Sequence, residues 1–491
     1  MHVDIIEKPA PMKRIIFIAT IAIFILAPNY LIGQPRANYP VLHSMNRAPS
    51  SFLDQFYLPG LDNNTEVNFI FRINYDKLNF RRDRSQANGV LTENFVSEIE
   101  LIFDLYEKDI PLIPDRAFLA RESWSATVNT TSYEDTQSDE RYIEGFVKME
   151  IAPDEYRLIT TLLVNGQEIP LSAITSSSTS MQMQQRRPNR RESREAAIQR
   201  GTISVPKFSS ANTGSILLLD SKKEDGSFNL MNLGNNVKYA HDFYLLGITN
   251  SDTQFDSLVV KMFELGPILA NQSENTRLTW SANLSSDGTT IPSFEIKSDS
   301  NRISLVPKDT SATYDLKYIN VPNRKFKNSW YRFNLVGYVG GNETILTQKN
   351  VLTRWFDIPT SLLNLDVALD NMKYIADETT IKELKRGNVS EKEAKFRAFW
   401  KEKDPTPDTD YNELMSEYYK RIDDAYKQFT TPSKPGYESD QGKIFIVYGP
   451  PENIERRFPP NGVTQEIWQY GSRTFIFNAT SGFGDFELVT Q

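Results

Sequence analysis

The feature that most constrains this chain is a change of hydrophobic period near residue 355. Before it, apolar residues recur every second position: Val67, Phe69, Phe71, Ile73 and Tyr75, then Ile99, Leu101, Phe103 and Leu105, then Tyr156, Leu158 and Leu162 with Thr160 between them. Alternation of this kind places one face of a strand on a core. No helical period interrupts it between about 50 and 170, and Asn165-Gly166 supplies a hairpin turn that accepts positive φ. Leu258, Val260 and Met262, then Tyr331, Phe333 and Leu335, repeat the alternation in a second β region. After Trp355 the spacing becomes three and four. The expected fold is therefore multidomain: two mostly antiparallel, Ig-like β-sandwich domains followed by a C-terminal α+β domain.

At 491 residues the chain is too long for one core, and about three domains are expected. The boundaries read as a signal peptide over 1–33 (with Met12 as an alternative start), a β-sandwich over 35–172, a linker over 173–204, a second sandwich over 205–356 and the α+β domain over 357–491. The reading of this stretch as a linker or long exposed loop rests on Ser176-Ser177-Ser178-Thr179-Ser180, a Gln-rich stretch and six arginines from Arg186 to Arg200, too polar to offset its ordering entropy. Short matching segments, Glu155-Tyr156-Arg157-Leu158 and Trp330-Tyr331-Arg332-Phe333, each precede a glycine turn and suggest two copies of one sandwich.

Met12-Lys13-Arg14 followed by the apolar run from Ile15 to Pro28 has the form of a secretory leader, with cleavage expected between Gly33 and Gln34. The run is shorter than the ~20 residues that cross a bilayer. The expected location is periplasmic or outer-membrane-associated in a Gram-negative envelope. The absence of cysteine excludes a lipoprotein anchor, disulfides, a thiol nucleophile and thiolate metal sites. A net charge of −8 argues against nucleic acid as a partner.

In the last region, Ser390 with Glu393 and Asp410 with Glu413 read as capping boxes. Leu414, Tyr418, Ile422, Ala425 and Phe429 form a helical stripe, and strands are expected at 443–448, 466–470, 474–477 and 485–489. Phe399-Trp400 with Asp404-Pro405, Asn412-Glu413, Glu417 to Arg421, Gly436-Tyr437-Glu438-Ser439-Asp440 with Gly442, Gly449-Pro450 and Trp468 resembles the GWxTD domain of bacterial exported proteins. Tyr437 stands in place of that family's tryptophan and Ser439 in place of its threonine. No reaction is assigned to the family, so the resemblance implies no catalytic residue. It implies motif positions, structural or docking, at Trp400, Asp404, Asn412, Glu413, Arg421, Gly436, Tyr437, Ser439, Asp440, Gly442, Gly449, Pro450 and Trp468.

His2, His43 and His241 are the only histidines, and no Gly-x-Ser-x-Gly elbow is present, so neither a serine triad nor a histidine-rich metal site is expected. His241 reads as the edge residue of a strand. Carboxylates leave one route to an enzyme: Glu413, Glu417 and Arg421 share a helix face, and Asp404 and Asp440 near them would suit a polysaccharide hydrolase or hold a hard cation. The competing reading is an ion-pair ladder, with Arg421 tied to Asp440. No cofactor is expected. The preferred reading is an envelope interaction or scaffold protein that binds other envelope proteins, with glycan a further candidate partner.

Overall fold

The computed structural model describes residues 38–490 apart from 47–48, 50, 88–89, 109–117, 170–198, 209–212, 252–253, 267–275, 300–301, 311, 313, 461 and 481–483. The expected leader over 1–33 and most of the expected linker lie outside the described residues. Among the described residues no helix is long and apolar enough to cross a membrane.

A short helix, α1 (Tyr39–Met45), precedes the first sandwich. One sheet of that sandwich contains β1 (Ser51–Pro59), β2 (Thr65–Asn74) and β6 (Tyr142–Ile151). The facing sheet holds β3 (Arg81–Ala87), β4 (Val90–Glu107), β5 (Phe118–Thr130), β7 (Glu155–Val164), β8 (Gln167–Ile169) and β9 (Gln199–Ser204). A one-turn helix, α2 (Tyr133–Thr136), lies between β5 and β6. The alternating residues do what their period predicts. Phe69, Phe71, Leu101, Phe103 and Leu162 are wholly buried between the sheets, and Phe69 stacks on Phe103 at 4.8 Å. Each such side chain stabilises the sandwich by about 1.5–3 kcal/mol.

In the second sandwich, β10 (Gly214–Lys222), β13 (Phe243–Asn250) and β19 (Tyr314–Val321) are neighbours. Their sheet is widened by β11 (Phe228–Leu230), β16 (Thr289–Ile291), β17 (Ser293–Asp299) and β18 (Arg302–Lys308). Opposite lie β15 (Thr276–Asn283), β14 (Ser257–Leu265), β20 (Trp330–Val339), β21 (Asn342–Arg354) and β12 (Asn236–Lys238). The pairings β1–β2–β6 and β10–β13–β19 correspond, as do β5–β4–β7–β8 and β15–β14–β20–β21. The suggested duplication is present at the level of topology. Its two matched segments hold equivalent tyrosine corners: the Tyr156 hydroxyl donates to the Ala152 carbonyl at 2.9 Å, and that of Tyr331 to the Lys327 carbonyl at 3.1 Å. Both following hairpins turn on two residues with positive φ, Asn165-Gly166 and Gly340-Gly341.

Residues 199–204, read from sequence as the end of a linker, are β9. This strand pairs with Glu155–Thr160 of β7, while β8 pairs with Leu162–Val164 of the same strand. Together β8 and β9 occupy the edge that the single strand β21 occupies in the second sandwich. Residues 199–204 thus belong to one edge of the first domain, a correction to the expected boundary at 204.

The two sandwiches are stacked, not strung. Leu217, Leu219, Leu246 and Ile248 turn away from the second core and pack on Phe56, Leu58 and Ile70 of the first sandwich. Ile216, Leu218, Phe243 and Leu245, at alternate positions, fill the second core. Both middle sheets are therefore covered on both faces. Asp54 of β1 accepts two hydrogen bonds, each 2.7 Å, from the buried Lys349 of β21 and pins the layers together.

The C-terminal domain follows with α3 (Leu365–Asp370), α4 (Glu378–Leu384), α5 (Val389–Glu402), α6 (Glu413–Phe429) and α7 (Asp440–Tyr448). A small antiparallel sheet then runs through β22 (Asn453–Arg457), β23 (Gln465–Tyr470), β24 (Arg473–Ala479) and β25 (Phe486–Thr490). The strand expected at 443–448 is instead helix α7. Its short apolar run fits either period, and the Ser439 hydroxyl, accepting from the Gly442 amide at 2.9 Å, decides for a helix start. The caps also shift: α5 starts on Asn388 with Glu391 completing the box, and α6 on Asn412. Helix α1, placed by sequence in the first sandwich, packs on this domain instead, with Tyr39 in its core. His241 is exposed in the connection from β12 to β13, not on a strand edge.

A candidate binding cleft beside the C-terminal motif

The motif residues separate into two groups. Around the start of α7, Gly436 lies so close to α6 that a Cβ would meet the Ala425 carbonyl at 2.0 Å, and a Cβ on Gly442 would meet the Gly436 carbonyl at 1.9 Å. Only glycine permits these approaches. The Ser439 hydroxyl donates to the Gly436 carbonyl at 2.7 Å while capping α7. Tyr437 is buried against Tyr39 and Tyr426, and its carbonyl accepts from the Tyr374 hydroxyl at 2.6 Å. Asp440 accepts from Lys443 at 2.8 Å and from the Leu488 amide at 3.1 Å, which joins α7 to β25. Partial burial opposes its ionisation, but these two donors outweigh it and hold the carboxyl below its usual range.

The expected Arg421–Asp440 tie is absent. Arg421 donates to Glu417 at 2.8 Å and to the Ile446 carbonyl at 3.4 Å, with its guanidinium against Gly449. Gly449 has φ 82°, a conformation that favours glycine, and ends α7; Pro450 after it is exposed. Trp468 is buried and donates to Glu466 at 2.7 Å. Glu466, missed in the sequence, also accepts from Gln441 at 2.8 Å and Arg456 at 2.7 Å, so its buried carboxylate is fully engaged. Its only signal was a charge inside an apolar strand.

The second group surrounds a cleft of about 300 Å³ where the C-terminal domain meets the second sandwich. Trp400, Asp404 and Asn412 all line it. Asn412 caps α6 through the Met415 amide and donates to the Trp400 carbonyl, both at 2.8 Å, so one side chain fixes two helices. The buried Trp400 indole N–H has no hydrogen-bond acceptor. It sits near the Tyr419 hydroxyl inside the helical core. Asp404 accepts from the Thr406 amide at 2.9 Å, and Glu413, outside the cleft, accepts from the Thr406 hydroxyl. The carboxylates singled out by sequence are thus divided among Thr406, Arg421 and Lys443. Among the described residues no group of three or more His, Cys, Asp and Glu side chains is placed to hold a metal.

The remaining cleft wall was not legible in the sequence, because it joins distant segments. Tyr239, which follows β12, donates to Asp410 at 3.0 Å; burial first, then the Asp410 charge, raises its phenol pKa well above the usual range. Tyr239, Trp355 and Tyr411 pack with ring centroids 5.4–5.7 Å apart. Glu393 accepts from Arg397 at 2.8 and 3.1 Å on the opposite side, and both are half-buried. Aromatic walls with a few oriented charges suit recognition of a side chain or a short segment.

Residues 359–487 match the GWxTD domain family, so the C-terminal region is a GWxTD domain. No curated protein matches the chain. Among solved structures, the C-terminal domain of the Streptococcus pyogenes antigen I/II-family protein AspA is similar at 10% identity, over 62% of this chain and 100% of that one, with a TM-score of 0.15. The C-terminal domain of the Streptococcus agalactiae AgI/II polypeptide BspA gives 11%, 62%, 100% and 0.14. Astrotactin-2, a vertebrate-specific perforin-like membrane protein, gives 8%, 91%, 86% and 0.18. Likenesses of this degree have no bearing on function.

Proposed function

We propose that the GWxTD domain of this chain is the docking module of an exported interaction protein of the bacterial envelope, carried on the stacked sandwiches as a rigid mount. The observation that supports this reading is the division of labour among the motif residues. Gly436, Ser439, Asp440, Gly442 and Trp468 are engaged in internal contacts that set the domain's shape. What that shape leaves open is the aromatic cleft against Tyr239 and Trp355. A partner protein presenting an apolar or aromatic side chain beside a polar group fits it. The hydrolase reading has less support: it needs free carboxylates in one cleft, while Glu417 and Asp440 have cationic partners and Glu413 lies outside. A secretory leader over 1–33 and a periplasmic or outer-membrane site belong to the same proposal.

Affinity purification of the tagged full chain from its native envelope tests the reading. A stoichiometric partner is expected, and Arg397→Glu, which reverses a charge on the cleft wall, should release it. Retention of every partner by that variant, or envelope-polysaccharide hydrolysis lost in Asp404→Asn, would overturn the proposal.

A further inference from the structure

We propose that a second cleft, between the two sandwiches and away from the GWxTD domain, binds a small ligand bearing an oxyanion, with Arg72 and Arg302 as the residues that grip it. The cleft measures about 440 Å³, within the range of small-molecule sites. Arg72 lies on β2 between Phe71 and Ile73, and strand alternation turns it out of the first core towards the second sandwich. Tyr142 and Glu144 of β6 line the same side; Lys223, Lys238, Asp220 and Arg302 belong to the other.

The Arg72 guanidinium stands 3.4 Å from the centroid of the Tyr142 ring, and that of Arg302 stands 4.4 Å from the same ring. Arg302 also donates to the Tyr142 hydroxyl at 2.9 Å. Two arginines are thereby held beside one aromatic ring with their forks constrained. The Arg72 Nε is buried with no acceptor. A buried guanidinium N–H without an acceptor is costly, and a bidentate oxyanion is the natural complement of the fork that carries it.

Two of the three lining acids, Asp220 and Glu144, accept from other donors. Asp220 accepts from Lys238 at 3.0 and 3.1 Å. Glu144 is 6% exposed, accepts from the Ile303 amide at 3.2 Å, and is held above the usual carboxylate range by burial, against the pull of its donors. Burial also disfavours the charge on Arg72, a penalty that a bound anion would relieve. The lining carries four cationic side chains (Arg72, Lys223, Lys238, Arg302) and three acidic ones (Glu144, Asp220, Asp299), so the cleft favours an anion.

A carboxylated sugar and a phosphoryl group offer the same oxyanion chemistry, and two probes distinguish them. The full chain is titrated calorimetrically at low salt with inorganic phosphate and, separately, with glucuronate. Single-site binding of either supports the site, phosphate alone assigning a phosphoryl ligand and glucuronate alone an acidic sugar. Arg302→Gln, at an exposed position, should weaken binding by about tenfold or more, and Arg72→Gln should remove it. No binding of either probe up to about 10 mM, or unchanged affinity in a folded Arg302→Gln variant, would overturn the proposal.

Discussion

The two sandwiches share a strand order and a tyrosine corner, yet differ at one edge. In the second, β21 runs unbroken from Asn342 to Arg354 along β20. In the first, the same edge is made by β8 and β9, with residues 170–198 between them. The duplicated architecture accommodates this break because it falls between the two stretches that pair with β7, so β9 still places Ile203 in the first core as β21 places Leu346 and Val351 in the second. The sandwiches also differ in what each gives the other. The strand β1 sends Leu53 to its own core, and Phe52, Phe56 and Leu58 to clusters shared with the second domain. Equivalent folds are therefore not independent ones.

The sharpest test of that interdependence is Asp54→Ala. It leaves Lys349 buried without its partner, and a loss of about 3–5 kcal/mol is expected. Urea melts followed by separate probes in each sandwich should shift together; a shift confined to one would show that the domains unfold independently. The equivalence of the corners predicts a smaller, matched effect. Tyr156→Phe and Tyr331→Phe should each cost about 1 kcal/mol and add in the double variant, which thermal denaturation checks.

The interrupted edge predicts that a protease nick within 170–198 leaves stability nearly intact. Both fragments should co-elute on native size exclusion, since β9 stays paired to β7 and the stacked sheets remain joined. Separation of the fragments would restore the linker reading. The smallest effect belongs to the C-terminal domain and contrasts it with the sandwiches. The Asp440 carboxyl is depressed below its ordinary value of 3.8 in the folded state, so it contributes stability that is present above that value and lost as pH falls through the folded pKa. Asp440→Asn should flatten the acid limb of the stability curve, and its effect should simply add to that of Arg421→Ala, since the two residues share no contact.

Sequence alone determined what depends on local period and local chemistry. Alternation identified the inward faces of β2, β4 and β7, because one buried face imposes a period of two whatever lies beyond it. Dipeptide chemistry located both glycine turns, and a four-residue likeness found the tyrosine corners before their role was visible. Separated motif blocks located the GWxTD domain. Only the tertiary structure decided the rest. Alternation left the outward residues of β2 unassigned; Ile70 and Arg72 among them meet the second sandwich, and no local signal distinguishes water from an interface. The run Lys443–Tyr448 suits a strand or a helix equally, and the choice rests on the Ser439 cap and on glycines that let α7 approach α6. Both clefts join side chains from different domains, Tyr239 with Asp410 and Arg72 with Arg302 among them, and such proximity arises from packing, which leaves no period in the chain.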